Sequence, residues 1–333
     1  MAVKGLGITV TPEEMLSRAL AGDRLSLAKM LSMVERGGES ASEVAHVSYR
    51  SLLRAQTIGI TGAPGAGKST LVEKLVTVAR AGGKDQVAVI AVDPTSPFSG
   101  GAILGDRIRM QSHAGDDGVF IRSMASRGHL GGLSIAVPES MRLLEAAGMD
   151  PVIIETVGVG QVEIEVASAT DTTVVVVNPG WGDSIQANKA GILEIADILV
   201  VNKADRPGAR EAVRDLEQML GMAHDAYELR QGIWRPPVLK TIASNGEGLD
   251  ELWSAIERHG AYLSDSGEYA ARRRQRAERG LDLVLEEAIS QQVDKLRGCE
   301  AYAQLVDAME SGQSDPYEAA ERLIHEASQP VLH

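Results

Sequence analysis

The sequence predicts an α/β fold: a mostly parallel central sheet flanked by helices, with a helical extension at the amino end and a helical arm at the carboxyl end. Three observations predict it. Seven short apolar runs, Thr57–Thr61, Gln86–Val92, Val119–Arg122, Pro151–Glu155, Thr172–Asn178, Ile198–Asn202 and Val238–Ile242, alternate with stretches long enough for crossover helices. Several runs are apolar at almost every position, Val174-Val175-Val176-Val177 most plainly, as expected of strands covered on both faces. The residues before about 56 and after about Gly260 lack such runs and carry helical spacing instead. The expected division is therefore an extension over 1–55, a core over 56–262 and an arm over 263–333.

Bulk properties narrow the function classes. With 333 residues and 44% hydrophobic content, the chain can bury a full core. Its net charge of -13 argues against general nucleic-acid binding, which needs a basic face, and an aromatic content of 3% argues against base-stacking platforms. One cysteine, Cys299, allows neither a disulfide framework nor a cysteine-rich metal site. No stretch is apolar for long enough to span a bilayer, and Met1 to Thr11 lack the apolar region of a signal peptide. A cytoplasmic protein with no membrane role is the expectation.

In chain order, Thr11-Pro12-Glu13-Glu14 is a capping box with proline at the first helical position, opening a helix to about Leu20. Asp23 caps a second helix with the stripe Leu27, Met30, Leu31 and Val34, closed by Gly37-Gly38. Ser40 or Ser42 is expected to cap a third, running to about Leu53. In the arm, Glu268 to Leu296 begins with Arg272, Arg273, Arg274, Arg276 and Arg279, expected to form a solvated helix face. It continues with the apolar stripe Leu281, Val284, Leu285, Ile289, Val293 and Leu296. Ala301–Glu310 and a segment opened by Asp315-Pro316 are further helices. The arm has too few helices to enclose its own stripe, so association of two copies into a homodimer is expected.

The chemistry is organised around Gly62-Ala63-Pro64-Gly65-Ala66-Gly67-Lys68-Ser69-Thr70, which sits between the first strand and a helix. That context makes it a phosphate-binding loop. Glycines let backbone N–H groups wrap a polyphosphate, and the helix beginning near Lys68 adds its positive end. Lys68 is placed to reach the β- and γ-phosphates, and the Ser69 hydroxyl to ligate Mg²⁺. Asn202-Lys203-Ala204-Asp205 follows the sixth strand. There the Asp205 carboxylate accepts from guanine N1–H and the 2-amino group, donors that adenine lacks, while Asn202 braces the loop and the Lys203 stem covers the ring. Ala243-Ser244-Asn245, after the seventh strand, completes the base pocket, the Ala243 N–H reaching guanine O6. Glu155, at the end of the fourth strand, is an expected Mg²⁺ group, and Gly158 lets its N–H approach the γ-phosphate. Asp93 and Asp106 are two further candidate Mg²⁺ carboxylates, consistent with an ion that takes few protein ligands. Lys68, Asp93, Asp106 and Glu155 are thus the candidate catalytic groups. Gln161 lies two residues beyond the position that orients water in many GTPases, which predicts a small catalytic contribution. Ala63 stands where partition-type ATPases carry a lysine.

Together these residues resemble the MeaB/ArgK family of P-loop GTPases, chaperones associated with methylmalonyl-CoA mutase. The likeness lies in the segments at 62–70, 91–110, 120–132, 155–161 and 202–205. The resemblance implies a P-loop NTPase core, GTP or GDP as bound nucleotide, and Mg²⁺ at Ser69, Asp93, Asp106 and Glu155. It implies a homodimer through the carboxyl-terminal arm and a partner-sensing segment at 182–189. It also implies a partner, an adenosylcobalamin-dependent acyl-CoA mutase whose cofactor loading and protection are gated by GTP hydrolysis. Slow intrinsic turnover stimulated by the partner is the expectation. The competing readings are an amino-acid (arginine/ornithine) transport-associated kinase or ATPase, a metallochaperone GTPase, which the absence of a clustered His/Cys motif opposes, and a nucleotide-dependent adaptor with negligible turnover.

Overall fold

The apolar runs form seven strands: β1 (Thr57–Gly62), β2 (Val87–Pro94), β3 (Val119–Ser126), β4 (Val152–Thr156), β5 (Thr172–Val177), β6 (Ile198–Asn202) and β7 (Val238–Thr241). All pair parallel in one sheet of order β3-β2-β4-β1-β5-β6-β7. The structure is a computed structural model, and it describes residues 10–51, 55–94, 111–113, 115–126, 135–156, 161–180, 194–222 and 233–328. Eleven helices lie within them. Those before the third strand are α1 (Pro12–Leu20), α2 (Arg24–Arg36), α3 (Gly38–Ser48) and α4 (Lys68–Ala81). The next are α5 (Ala136–Ala146), α6 (Gln161–Ala169), α7 (Ala209–Met222) and α8 (Leu249–Ser266). The last are α9 (Glu268–Arg297), α10 (Glu300–Glu310) and α11 (Pro316–Ser328).

Period-two alternation along the strands divides the core between the two faces of the sheet. Ile58, Ile60, Val87, Val89, Ile153, Val174 and Val200 pack against Leu71 and Leu75 of α4 and Leu252 and Ile256 of α8. Ala88, Ile90, Val152 and Ile154 face the opposite way and meet Val137, Met141 and Leu144 of α5 together with Leu27, Met30 and Leu31 of α2. The amino-terminal helices thus share one core with the sheet. Val175, Val177, Leu199 and Val201 complete that face against Leu216 and Leu220 of α7.

Local signals at the amino end act much as expected. Thr11 accepts from the Glu14 N–H, and Asp23 from those of Leu25 and Ser26. The third helix differs from expectation. It begins at Gly38 with no side-chain cap, because Gly37, at φ 74°, both ends α2 and turns the chain directly into α3. It ends at Ser48, short of the expected Leu53, which lies outside the described residues.

The chain divides into two compact units, Met1–Arg276 and Ala277–His333. The arginine cluster at the start of α9 is where the structure corrects the sequence reading most. Arg272 donates to both oxygens of the Asp197 carboxylate, at 2.8 and 2.9 Å, and to the Asp171 carbonyl oxygen at 2.6 Å. One turn on, Arg276 donates to Asp171 Oδ1 and to Thr57 Oγ1, both at 2.7 Å. Asp171 and Asp197 immediately precede β5 and β6, and Thr57 opens β1, so these contacts lie along the amino edge of the sheet. The i, i+4 spacing puts both arginines on one helix face, where buried carboxylates rather than water receive them. Burial pushes the Asp197 carboxyl up, but the His259 imidazole 3.3 Å away and the hydrogen bonds from Arg272 outweigh it and hold the group below its ordinary value. An acid held low in the folded state contributes stability above its unfolded value and loses it as pH falls further, so this clamp is released by acid and not by alkali.

Unit Ala277–His333 carries the second part of α9 with α10 and α11. Leu281, Val284, Leu285, Ile289 and Val293 are all exposed, Ile289 at 62%. Among the described residues Leu305 and Ala319 are its buried apolar side chains.

The two classes of arginine pair give opposite expectations. Arg276→Ala strands the fully buried Asp171 carboxylate without its cation, and should cost about 3–5 kcal/mol of stability. Arg297→Ala removes an exposed partner of Asp294 and should cost less than about 1 kcal/mol. Denaturant titration of the two variants beside the parent measures both; equal losses would refute the clamp.

Candidate nucleotide-binding site

Strand β1 runs directly into the glycine-rich loop at the carboxyl edge of the sheet. At Gly62 (φ 128°) a Cβ would lie 2.0 Å from the Val176 carbonyl oxygen, and at Gly67 (φ 90°) 2.6 Å from Asn202 Nδ2. Neither position admits a side chain. Helix α4 starts at Lys68, so its positive end closes the loop. Lys68 is buried and curls back over the loop, its Nζ donating to the Gly62 and Ala63 carbonyl oxygens at 2.6 and 3.0 Å. Pro64, Gly65 and Thr70 are exposed, whereas Ala63 and Ala66 are buried.

Ser69, the second residue of α4, is buried and donates to Glu155 Oε1 at 2.5 Å. A hydroxyl and a carboxylate meeting beside a phosphate-binding loop form a hard-oxygen donor set. That suits Mg²⁺, which keeps most of its waters and takes few protein ligands. Among the described residues no cluster of three or more His, Cys, Asp or Glu side chains can hold a metal. Asp93 stands at the carboxyl end of β2, its backbone in register with Ala125 of β3. Its side chain lies outside the described residues, as do Asp106, Gly158, the segment 182–189 and the side chain of Gln161, whose backbone opens α6.

Asn202 joins the two halves of the site. Its Nδ2 donates to the Ala66 carbonyl oxygen in the loop at 2.7 Å. Its Oδ1 accepts from Thr241 Oγ1 and from the Ala243 N–H, both at 3.1 Å. The Ala243 N–H, assigned to guanine O6 from the sequence, is therefore turned to Asn202 here. Lys203 holds the left-handed conformation, φ 57°, and its Nζ donates to the Gly65 carbonyl oxygen at 2.7 Å. Asp205 is exposed in the turn that follows β6, and Ser244 and Asn245 are exposed after β7. Asn245 Oδ1 accepts from the Glu247 N–H and so shapes its own turn. The structure thus brings loop 62–70, Glu155, Asn202, Lys203 and Ala243 together at one edge. Thr241, buried against Asn202, is the contributor that sequence reading passed over. Its one signal was a polar residue at the end of the strand, in step with the buried Leu239 only through the fold.

A glycine-rich loop at the start of a helix, two lysines over that loop and an asparagine tying it to the turn after β6 have the chemistry of a nucleoside-polyphosphate site. The family model for methylmalonyl Co-A mutase-associated GTPase MeaB matches residues 27–297. The chain belongs to the MeaB family. A Pyrococcus abyssi protein classed as a GTPase is 44% identical over 314 residues, covering 94% of this chain and 96% of that protein. GTPase ArgK of Escherichia coli is 39% identical over 284 residues, covering 84% and 85%. Methylmalonic aciduria type A homolog of Mus musculus, a mitochondrial protein, is 35% identical over 266 residues, covering 76% of this chain and 64% of that protein. Among solved structures, a crystal structure described as LAO/AO transport system kinase is 28% identical, covers 98% of this chain and all of that one, and superposes with a TM-score of 0.64. This MeaB-family chain is a GTPase with a P-loop fold.

Removing the junction should be felt at once. Asn202→Ala leaves the buried Thr241 hydroxyl and the Ala243 N–H without their acceptor, at roughly 1–3 kcal/mol, and GDP affinity should fall by about 5- to 150-fold. Calorimetric titration with GDP checks this; wild-type affinity in the variant would remove Asn202 from binding.

Proposed function

We propose that this GTPase is a slow, Mg²⁺-dependent guanine-nucleotide switch. Its hydrolysis gates adenosylcobalamin loading and protection on methylmalonyl-CoA mutase or a related cobalamin-dependent acyl-CoA mutase, in the cytoplasm. The observation that carries the switch reading is the Asn202 junction, which makes the phosphate loop and the guanine-reading turn one unit. The partner follows from the family's association with the mutase.

In this reading the loop amides and α4 hold the phosphates, and Lys68 exchanges its carbonyl partners for β- and γ-phosphate oxygens. Ser69 and Glu155, with Asp93 and Asp106, would hold Mg²⁺, which supplies charge neutralisation at those oxygens. Asp205 selects guanine because ATP leaves its carboxylate without donors. Gln161 lies beyond the water-orienting position, so intrinsic turnover is slow and the partner raises it. The arm, 263–333, serves association: an exposed apolar stripe on α9 pairs with the same stripe of a second copy.

Asp205→Asn should weaken GDP binding and move preference toward XDP, whose 2-oxo group suits an amide donor. Titration with GDP, XDP and ADP tests it, and equal binding of ADP and GDP by the wild type would refute the base reader. GTP hydrolysis by the purified chain should rise on adding a cobalamin-dependent acyl-CoA mutase; no change with any such mutase would refute the gating role.

The pairing of arms has its own test. Leu285→Glu with Ile289→Glu places charge in the stripe and should convert a dimer to a monomer with GDP affinity retained. Light scattering reads the mass, and a parent that is already monomeric at micromolar concentration would end the dimer proposal.

A further inference from the structure

We infer that the buried hydroxyl pair Thr61–Thr156 positions the magnesium-binding carboxylate, an inference that rests on the reading of Ser69 and Glu155 as the magnesium pair. Thr156 Oγ1 donates to Thr61 Oγ1 at 3.1 Å, and both residues are 1% exposed. Each is the chain neighbour of a group in use. Thr61 precedes Gly62, the start of the phosphate loop, and Thr156 follows Glu155.

The strand geometry explains why a side-chain link is needed there. Backbone pairing between β1 and β4 ends at Ile60↔Glu155. On its other edge β4 stays paired with β2 as far as Val92↔Thr156. The hydroxyl pair therefore continues the β1–β4 attachment by one residue, where the ladder has stopped and the loops begin. Alternation places it on the face opposite the carboxylate. Ile60 and Ile153 pack with Leu71 of α4, so Glu155, two residues beyond Ile153, points to the α4 side and meets Ser69. Val152 and Ile154 pack with α5, so Thr156 points to the α5 side. Two cross-links thus straddle the same strand ends: Glu155 to α4 on one face, Thr156 to β1 on the other. Together they set where the Glu155 carboxylate stands relative to the Ser69 hydroxyl. The two threonine hydroxyls bond to each other on the face away from Ser69, so both act as positioning residues. Support of this kind behind a metal ligand commonly governs affinity for the metal.

The test is the release rate of a fluorescent GDP analogue from the full-length protein, followed across a Mg²⁺ titration and in EDTA. In the wild type Mg²⁺ slows release. In Thr156→Val the Mg²⁺ concentration for half-maximal retention should rise by about tenfold or more, while release in EDTA is unchanged. Thr156→Ser should restore the wild-type requirement. Thr61→Val combined with Thr156→Val leaves no buried hydroxyl without its partner, so it should melt near the wild-type temperature yet keep the Mg²⁺ defect. The inference is overturned if Thr156→Val shows the wild-type Mg²⁺ requirement, if its release in EDTA accelerates as much as in Mg²⁺, or if the double variant regains the wild-type requirement. Wild-type release that is insensitive to Mg²⁺ would instead sink the magnesium reading itself, and this inference with it.

Discussion

A parallel sheet covered by helices on both faces leaves only its two edges for polar chemistry, and this constraint organises the molecule. Ile58, Ile90, Ile153, Val176 and Val200 are all fully buried, so the five inner strands are apolar along their middle, and only the edge strands β3 and β7 carry charged side chains there, Arg122 and Lys240. At the carboxyl edge the strands open into loops whose amides point to whatever binds there. At the amino edge the incoming chain must also be satisfied, and here Asp171 and Asp197 do it, accepting from the N–H groups of Thr57 and Thr173. Buried carboxylates are costly without cations. Arg272 and Arg276 supply them from a helix that is distant in sequence.

The two edges differ in what they tolerate. The amino edge is closed by short charge contacts, with the Trp234 ring tilted against His259 at 4.8 Å between centroids and its indole N–H donating to the Asp197 carbonyl oxygen. At the carboxyl edge the Asn202 junction ties the phosphate loop to β6 and β7, while Pro64, Gly65, Asp205 and Ser244 are exposed. Binding residues on loops set above a well-anchored sheet are the usual division of labour in such folds.

Much of this was legible in the amino-acid order. The apolar runs mark all seven strands, because a sheet buried on both faces leaves a continuous apolar signature. The loop at 62–70 and the turn at 202–205 announce themselves because their chemistry needs fixed residue types at fixed spacing. What stayed hidden depends on neighbours far apart in the chain. A run of arginines resembles a solvated face until Asp197 and Asp171, which precede Arg272 by 75 residues and Arg276 by 105, turn out to lie beneath it. Thr241 and Thr156 are short hydroxyl residues with no periodic mark, and only the register of adjacent strands reveals their partners. Gly37 and Gly38 read as a helix stop, while the backbone uses the first to start the next helix.

Both lysines of the candidate site are already engaged by the loop they serve: Lys68 with the Gly62 and Ala63 carbonyl oxygens, Lys203 with that of Gly65. The loop is in effect its own placeholder ligand. A polyphosphate arriving there does not draw these ammonium groups out of bulk water; it takes them over from backbone oxygens. The net gain is the difference between two charge-assisted hydrogen bonds, smaller than either alone. In return the cations are ordered before contact, so less side-chain freedom is lost on binding.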